Sequence, residues 1–412
     1  MLSDEQRAII TATVPALRAH GETITRVFYR QMLGDHPELL NYFNPANQRG
    51  DGAQARSLAA SVLTYAEHIN RLDRLGGMVE RIATKHVSLE IKAEHYPIVG
   101  KYLLGAITEV LGEAATPAIL DAWAAAYGQL ADIMIGREAA LYTEGATQPN
   151  GWAGFKPFRV TRRVTESEVM ASFHLVPADG SAPPAFRPGQ YVSVRVRPPY
   201  HPHEQIRQYS LSAAPDGVSY RISVKREDAP ADVPDAPAGL VSTFLHAAIG
   251  AGDMLDIHTP LGDFVLDDVS EDPVVLISGG AGITAVLSML EHIVTRTNRP
   301  VVFLHGARGR AYHAFGERVR ELATMRAGVR VRIFYEEESR GDRPGVDHDQ
   351  IGRITAGAIR ANLPAGDAAF YYCGPIGFMT ATETALDSLG VPVNRRHSEA
   401  FAPDPSFAIA AE

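Results

Sequence analysis

The spacing of apolar residues changes character along this chain. Up to about residue 145 it is helical. Ser3 and Gln6 make a capping-box pair ahead of the first apolar run, and Gly21 predicts a break before a second helix over 22–33. Pro37 opens a short helix ending at Tyr42 and Phe43, and turn residues fill 44–52. Leu58, Val62, Tyr65 and Ile69 share one stripe of the next helix. Gly76 and Gly77 precede a helix through Glu90, Pro97 stands early in another, and a long last helix is expected over 117–142.

Residues 143–157 are Gly, Pro and small polar types and read as a linker. Period-two alternation follows: Val192, Val194 and Val196 against Ser193 and Arg195, then Ile222 and Val224 against Ser223 and Lys225. Asp216-Gly217 is a hairpin signal between two such runs. With runs at 157–165, 168–176 and near 253–259, this predicts an antiparallel sheet or barrel of about a hundred residues. The Pro-, Asp- and Ala-rich stretch 228–238 is expected to be a mobile surface loop. From about 270, short buried strands at 274–278, 301–305, 329–335 and 369–373 alternate with helical stretches, the pattern of a parallel sheet with crossover helices. The fold class is therefore multidomain. An all-α domain (1–146) leads into an antiparallel β-barrel (147–267) and then a Rossmann-like α/β domain (268–412).

Composition narrows the function classes. The formal net charge of -9 disfavours a nucleic-acid partner. A single cysteine, Cys373, forbids an internal disulfide and fits a reducing compartment. The N-terminus lacks the basic-then-apolar order of a signal peptide, and no apolar run reaches membrane-span length, so cytoplasmic is the expected location.

Val79, Ile82, Ala83 and His86 recur at i, i+3, i+4 and i+7, which puts His86 on an apolar helix face. A core histidine bonded to a backbone carbonyl and a metal ligand both satisfy that position. His20, His36, His68 and His95 are weaker ligand candidates. In the last helix Ala131, Ile135, Glu138 and Tyr142 form one stripe, so a carboxylate points where apolar residues belong. Burying it unpaired is costly. An imidazole N–H is one partner; a rim position in water is the other reading.

The segments Phe43-Asn44, Asn47-Gln48-Arg49, Lys85-His86, Ile91-Lys92, Tyr96, Asp121-Ala122-Trp123 and Arg137-Glu138-Ala139 resemble the globin domain of flavohaemoglobins, the bacterial and fungal nitric oxide dioxygenases. The resemblance implies that His86 ligates the iron of haem b, with Glu138 and Tyr96 hydrogen-bonded to its other nitrogen. It implies that Tyr29 and Gln54 donate to bound oxygen, and that Phe43, Leu58 and Lys85 line the haem pocket. Between Asn47 and Leu58 the chain has one residue more than the usual spacing, which bears on Gln54.

The resemblance continues through Arg187-Pro188-Gly189-Gln190-Tyr191, Arg207-Gln208-Tyr209-Ser210, Val224-Lys225-Arg226-Glu227 and Gly239-Leu240-Val241-Ser242, which look like the FAD-binding barrel of the ferredoxin-reductase family. Strand alternation sends Arg207 and Tyr209 to one face, Gln208 and Ser210 to the other. Arg207 can grip a phosphate, Tyr209 can cover a ring, and Ser210 can reach a flavin nitrogen or carbonyl. The implied FAD set is Tyr191, Arg207, Gln208, Tyr209, Ser210, Gly239, Val241, Ser242, Glu399 and Phe401. Ser278-Gly279-Gly280-Ala281-Gly282-Ile283-Thr284 follows a buried strand and opens a helix, the context of a nicotinamide dinucleotide turn. Cys373-Gly374-Pro375 resembles the family's motif near the nicotinamide. The implied NAD(P) set is Gly280, Ala281, Gly282, Ile283, Thr284, Cys373, Gly374 and Pro375. Ala285 stands where relatives have proline, and Ala400 where they commonly have cysteine.

Globin, flavin barrel and nucleotide domain in that order imply an NAD(P)H-dependent nitric oxide dioxygenase. Its cofactors are haem b, FAD and NADH or NADPH, and it turns NO and O2 into nitrate. The competing expectations are a haem- and flavin-dependent reductase of peroxides or other acceptors, and an O2- or NO-binding sensor. A monomer is expected, with lipid a candidate occupant of the haem pocket, and the tail beyond Pro403 is expected to be disordered.

Overall fold

The computed structural model describes residues 2–44, 53–230 and 237–401. Asn47, Gln48 and Arg49, much of the 228–238 stretch and the tail past Phe401 lie outside the described residues. Two compact units emerge. One takes Met1–Thr147 together with Val196–Ile206, and the other takes Gln148–Arg195 and Arg207–Ala402.

The first unit is helical. It comprises α1 (Asp4–Asp35), a 3-10 turn (Pro37–Asn41), α2 (Ala53–Glu67), a second 3-10 turn (Leu72–Leu75), α3 (Gly76–Ser88), α4 (His95–Leu111) and α5 (Pro117–Thr147). The capping box forms: Gln6 N–H donates to Ser3 Oγ at 3.1 Å and Ser3 N–H to Gln6 Oε1 at 3.0 Å. Gly21 does not break the first helix; α1 runs straight through it and through Pro15. Gly21 is buried in α1 against α2, where a Cβ would lie 3.6 Å from that of Ala59, an ordinary contact. Its helix-propensity cost of about 1 kcal/mol is outweighed by the packing of the helix around it. Ile10, Ile24, Phe28, Met32, Tyr65, Leu103, Ile107 and Trp123 fill the core between α1, α2, α4 and α5. The expected linker is also shorter, since α5 continues to Thr147.

The second unit carries two six-stranded sheets. β1 (Phe155–Thr165), β2 (Met170–Pro177), β3 (Tyr191–Val196), β4 (Gln205–Ser210), β5 (Tyr220–Lys225) and β6 (Met254–His258) order as β4-β3-β6-β1-β2-β5, with α6 (Leu240–Ala248) between β5 and β6. The pairings of β1 with β2 and β6, of β2 with β5 and of β3 with β6 are antiparallel. The Asp216-Gly217 turn does reverse the chain, with Gly217 at φ +74° and Asp216 Oδ1 accepting from Val218 and Ser219 N–H. It does not make a laddered hairpin. β4 and β5 are opposite ends of the strand order and meet at one bridge, Leu211 to Ile222.

The parallel sheet comprises β7 (Val274–Gly279), β8 (Val301–Ala307), β9 (Val329–Tyr335), β10 (Gln350–Ile351), β11 (Ala369–Gly374) and β12 (Arg396–Ala400) in the order β10-β9-β8-β7-β11-β12. Its crossover helices are α7 (Ile283–Arg296), α8 (Gly316–Met325), α9 (Ala356–Asn362) and α10 (Ile376–Ser388). β7 is buried along its whole length, which is why it reads as a continuous apolar run.

Candidate functional site

In the helical unit, α3 and α5 bring His86 and Glu138 together. Nδ1 of His86 lies 2.7 Å from Glu138 Oε1, and the Tyr96 hydroxyl donates to the same oxygen at 2.6 Å. Tyr96 also lies 3.2 Å from His86 Nδ1. Glu138 is buried, so of the two readings of its stripe the paired one holds. A carboxylate can only accept, which fixes the proton on Nδ1 and leaves Nε2 as the lone-pair nitrogen. Burial and the Glu138 bond push the Tyr96 phenol up, so it stays a donor. The weaker candidates His68 and His95 have local backbone work, at the Thr64 carbonyl and the Lys92 N–H respectively.

A second group gathers around Tyr29 on α1. Gln54, from the first turn of α2, shares a side-chain hydrogen bond with the Tyr29 hydroxyl, so the extra residue upstream leaves it within reach. Phe43 meets the Tyr29 ring edge-on at 5.7 Å, and Leu58 packs in the same core. Burial pushes the Tyr29 phenol well up, keeping its proton. The side chain of Lys85 is exposed, one residue before His86.

In the second unit the 187–191 segment borders the end of β4. Leu211 N–H donates to the Gln190 carbonyl at 2.9 Å, and Tyr191 bridges Leu261. Gly189 has φ +103°, and a Cβ there would lie 2.1 Å from the Phe264 carbonyl, so only glycine allows that approach. Arg207, Gln208 and Tyr209 are all half-buried and Ser210 is buried, so burial does not alternate as the strand pattern predicts. Desolvation lowers the Arg207 guanidinium and pushes the Tyr209 phenol up. Gly239 caps α6, with Val241 buried behind it. The Ser242 hydroxyl is engaged internally, accepting from Glu227 N–H at 3.2 Å and donating to the Gly239 carbonyl at 3.3 Å.

The Gly280–Gly282 turn leaves β7 and opens α7, with Gly280 at φ +52°. A Cβ on Gly282 would lie 2.0 Å from the Cys373 carbonyl, so the turn and the end of β11 touch backbone to backbone. Thr284 Oγ1 donates to the Ala281 carbonyl at 2.9 Å, and Ile283 and Ala285 are buried. Pro375 caps α10. Parallel register sets Cys373 beside Glu399 and Gly374 beside Ala400. Burial pushes the Cys373 thiol well up, which keeps it protonated and unreactive. Phe401, just past β12, is exposed.

Comparison with known proteins matches the same regions. Residues 26–134 fit the globin family model and 276–384 the oxidoreductase NAD-binding domain model. The chain is 57% identical over 409 residues to a flavohemoprotein of Deinococcus radiodurans, covering 99% of each. The chain belongs to the flavohemoprotein family. A flavohemoprotein of Bordetella pertussis is 51% identical, covering 97% of this chain and 98% of its own. Among solved structures, the flavohemoglobin of Malassezia yamatoensis, with bound FAD and heme, matches with TM-score 0.82 at 29% identity over 97% of this chain and all of its own. The FAD/NAD-binding domain of nitric oxide dioxygenase from Vibrio cholerae matches 60% of this chain and 98% of its own, with TM-score 0.54 and 36% identity.

The parts that several residues play in shaping these sites escaped the sequence reading. Arg137 donates to both oxygens of Glu80 at 2.6 and 2.8 Å, tying α5 to α3 one residue from Glu138. Gly100 is glycine because the Tyr127 ring occupies its side-chain space, while Tyr127 donates to the Tyr96 carbonyl at 2.6 Å. Phe378 fills the Cβ positions of both Gly279 and Gly374, so one ring explains two motif glycines. The signal for Phe378 was available as an apolar residue four positions after Gly374.

Proposed function

We propose that this flavohemoprotein is an NAD(P)H-dependent nitric oxide dioxygenase, carrying electrons from NAD(P)H through FAD to haem and converting NO and O2 to nitrate. The observation that carries the reading is the buried Glu138 carboxylate on Nδ1 of His86. A core histidine needs no charged acceptor, whereas a metal-ligating one is oriented and made more basic by such a partner.

The residues fit haem on their own chemistry. His86 offers Nε2, and Glu138 with Tyr96 holds its other nitrogen. Tyr29, with Gln54 beside it, would present an O–H donor on the distal side, and Phe43, Leu58 and Lys85 would line the pocket. The second unit fits FAD and nicotinamide equally. Arg207 is a desolvated cation that a phosphate would neutralise, and the Gly239 end of α6 offers free N–H groups. Gln208, Tyr209, Ser210, Tyr191, Glu399 and Phe401 complete the flavin set, with Ser242 shaping the loop. The 280–284 turn and Cys373, Gly374 and Pro375 take the nucleotide. When bound, the flavin turns a two-electron donor into single electrons and haem iron supplies the chemistry on NO and O2.

We take the domains as 1–146, 147–267 and 268–412, and the Leu211–Ile222 bridge as the point where the antiparallel sheet closes into a barrel. Among the described residues no helix is long and apolar enough to cross a membrane. We place the protein in the cytoplasm as a monomer, with lipid a candidate guest of the haem pocket.

His86→Ala tests the assignment. The variant should lose haem-dependent NO consumption while its flavin is still reduced by NAD(P)H. Surviving NO consumption would overturn it.

A further inference from the structure

α7 begins at the nucleotide turn, and its middle lies on the loop that follows β4. Ser288 Oγ donates to the Ala213 carbonyl at 2.8 Å, and Ala214 N–H donates to Glu291 Oε2 at 3.0 Å. Between them Met289 occupies the space left by Gly189, where a Cβ would come 2.5 Å from its methyl. The other oxygen of Glu291 takes Arg318 Nε from α8 at 2.9 Å and faces Arg221 Nη2 from β5 at 3.5 Å. Arg221 in turn donates to Ser212 Oγ at 3.1 Å and to the Ser212 carbonyl, and lies 5.1 Å over the Phe315 ring. Glu291 is 6% exposed. One buried carboxylate therefore gathers the loop after β4, β5 and α8.

Burying such a cluster is a poor way to gain stability, because well-packed apolar residues of similar volume do as well. What an ion cluster adds is direction: each oxygen accepts only from donors in place. Glu291 is two helical turns, about 10 Å, from Thr284. Ala214 is four residues past Ser210. The path from the flavin strand to the nucleotide turn is short and hydrogen-bonded.

Resting on the FAD and NAD(P)H reading above, we propose that Glu291 is a positioning residue for hydride transfer, holding the nucleotide turn in register with β4. In that step a C–H bond of the reduced nicotinamide breaks. The hydride and its electron pair form an N–H bond on the flavin, leaving the nicotinamide oxidised and the flavin reduced by two electrons. A reaction of this kind needs its atoms about 3–3.5 Å apart, and a displacement of about 1 Å costs roughly a hundredfold in rate.

The test uses purified holoprotein carrying E291A, E291Q or the volume-conserving double change R221M/E291M, with E321Q as a control, since Glu321 is the exposed second partner of Arg318, accepting from its Nη1 at 2.7 Å. Bound FAD per chain, melting temperature and amide exchange at 213–214 are measured on each. Anaerobic flavin reduction is then followed against NAD(P)H concentration, with the protiated and the 4-deuterated nucleotide. The expected result is unchanged FAD content, faster exchange at Ala214, and a limiting reduction rate about 10–100-fold lower with little change in the half-saturating concentration. The deuterium effect should grow, and R221M/E291M should show the same slow reduction at wild-type melting temperature. A reduction rate within twofold of wild type in R221M/E291M would overturn the proposal. So would a rate loss matched by an equal loss of FAD, which would make the cluster a structural clamp. Wild-type protein that purified without FAD would instead sink the underlying reading.

Discussion

Glu138 and His86 sit on different helices, yet a carboxylate oxygen of one lies 2.7 Å from Nδ1 of the other, the carboxylate buried and the imidazole partly exposed. Glu80 and Arg137 clamp the same two helices by a bidentate pair, so the imidazole is aimed by a frame and not by its own rotamer alone.

Glu138→Gln keeps the volume and removes the charge. The histidine ring should stay in place but donate less to its metal. We expect haem content near wild type, a higher iron reduction potential, and NO turnover lower by about 10–100-fold. Potentiometric titration alongside turnover checks both; an unchanged potential would argue that Glu138 only packs.

Tyr29→Phe removes one buried hydroxyl and leaves the ring contact with Phe43. With a donor to bound oxygen worth about 1–1.5 kcal/mol, oxygen should leave the ferrous protein about tenfold faster. Flash photolysis or stopped-flow displacement measures it directly, and CO binding should move much less.

Gly282→Ala puts a methyl 2.0 Å from the Cys373 carbonyl, whereas Gly280 has a positive φ but open space around it. The first substitution should therefore be the more damaging, lowering stability by about 1–3 kcal/mol and raising the KM for NAD(P)H. Gly280→Ala should carry backbone strain only, near 1 kcal/mol. Melting curves and nucleotide titrations at constant FAD content rank the two.

His313 is buried against Tyr335, and burial lowers it from 6.5 to about 4. The folded state keeps the ring neutral while the unfolded chain binds a proton below pH 6.5. Its contribution is thus intact above 6.5 and is lost as pH falls toward 4, by on the order of 3 kcal/mol. Unfolding midpoints of wild type and His313→Asn should converge across that window. Parallel curves would show that the ring does not titrate there.

Element type was legible wherever burial is one-sided or complete. The β7, β8 and β11 runs stand out because both faces are covered, β9 because Val329, Val331 and Ile333 alternate with the exposed Arg330 and Arg332, and the helical stripes because one face is. Gly21 misled, because a glycine that ends a helix and one carried inside it by packing on either side look alike in the sequence. The hairpin signal at Asp216-Gly217 specified a turn and could not specify a ladder, which depends on strands far away in sequence. His86 and Glu138 were each visible as an anomaly on its own helix. Their pairing required the packing of α3 on α5. Strand β12 was missed because Arg396, His397, Ser398 and Glu399 carry no apolar pattern; β11 recruits them through backbone bonds at a sheet edge.

That edge strand comes long after the helical unit in the chain. β12 pairs with β11 in register, so the parallel sheet gains its sixth strand only once Arg396–Ala400 has been made. The helical unit draws chiefly on the first 147 residues and can close much earlier. A chain cut short before Arg396 would carry a closed helical unit and an unfinished parallel sheet. The missing strand would leave the backbone of β11 bare, an open edge for another chain to pair with.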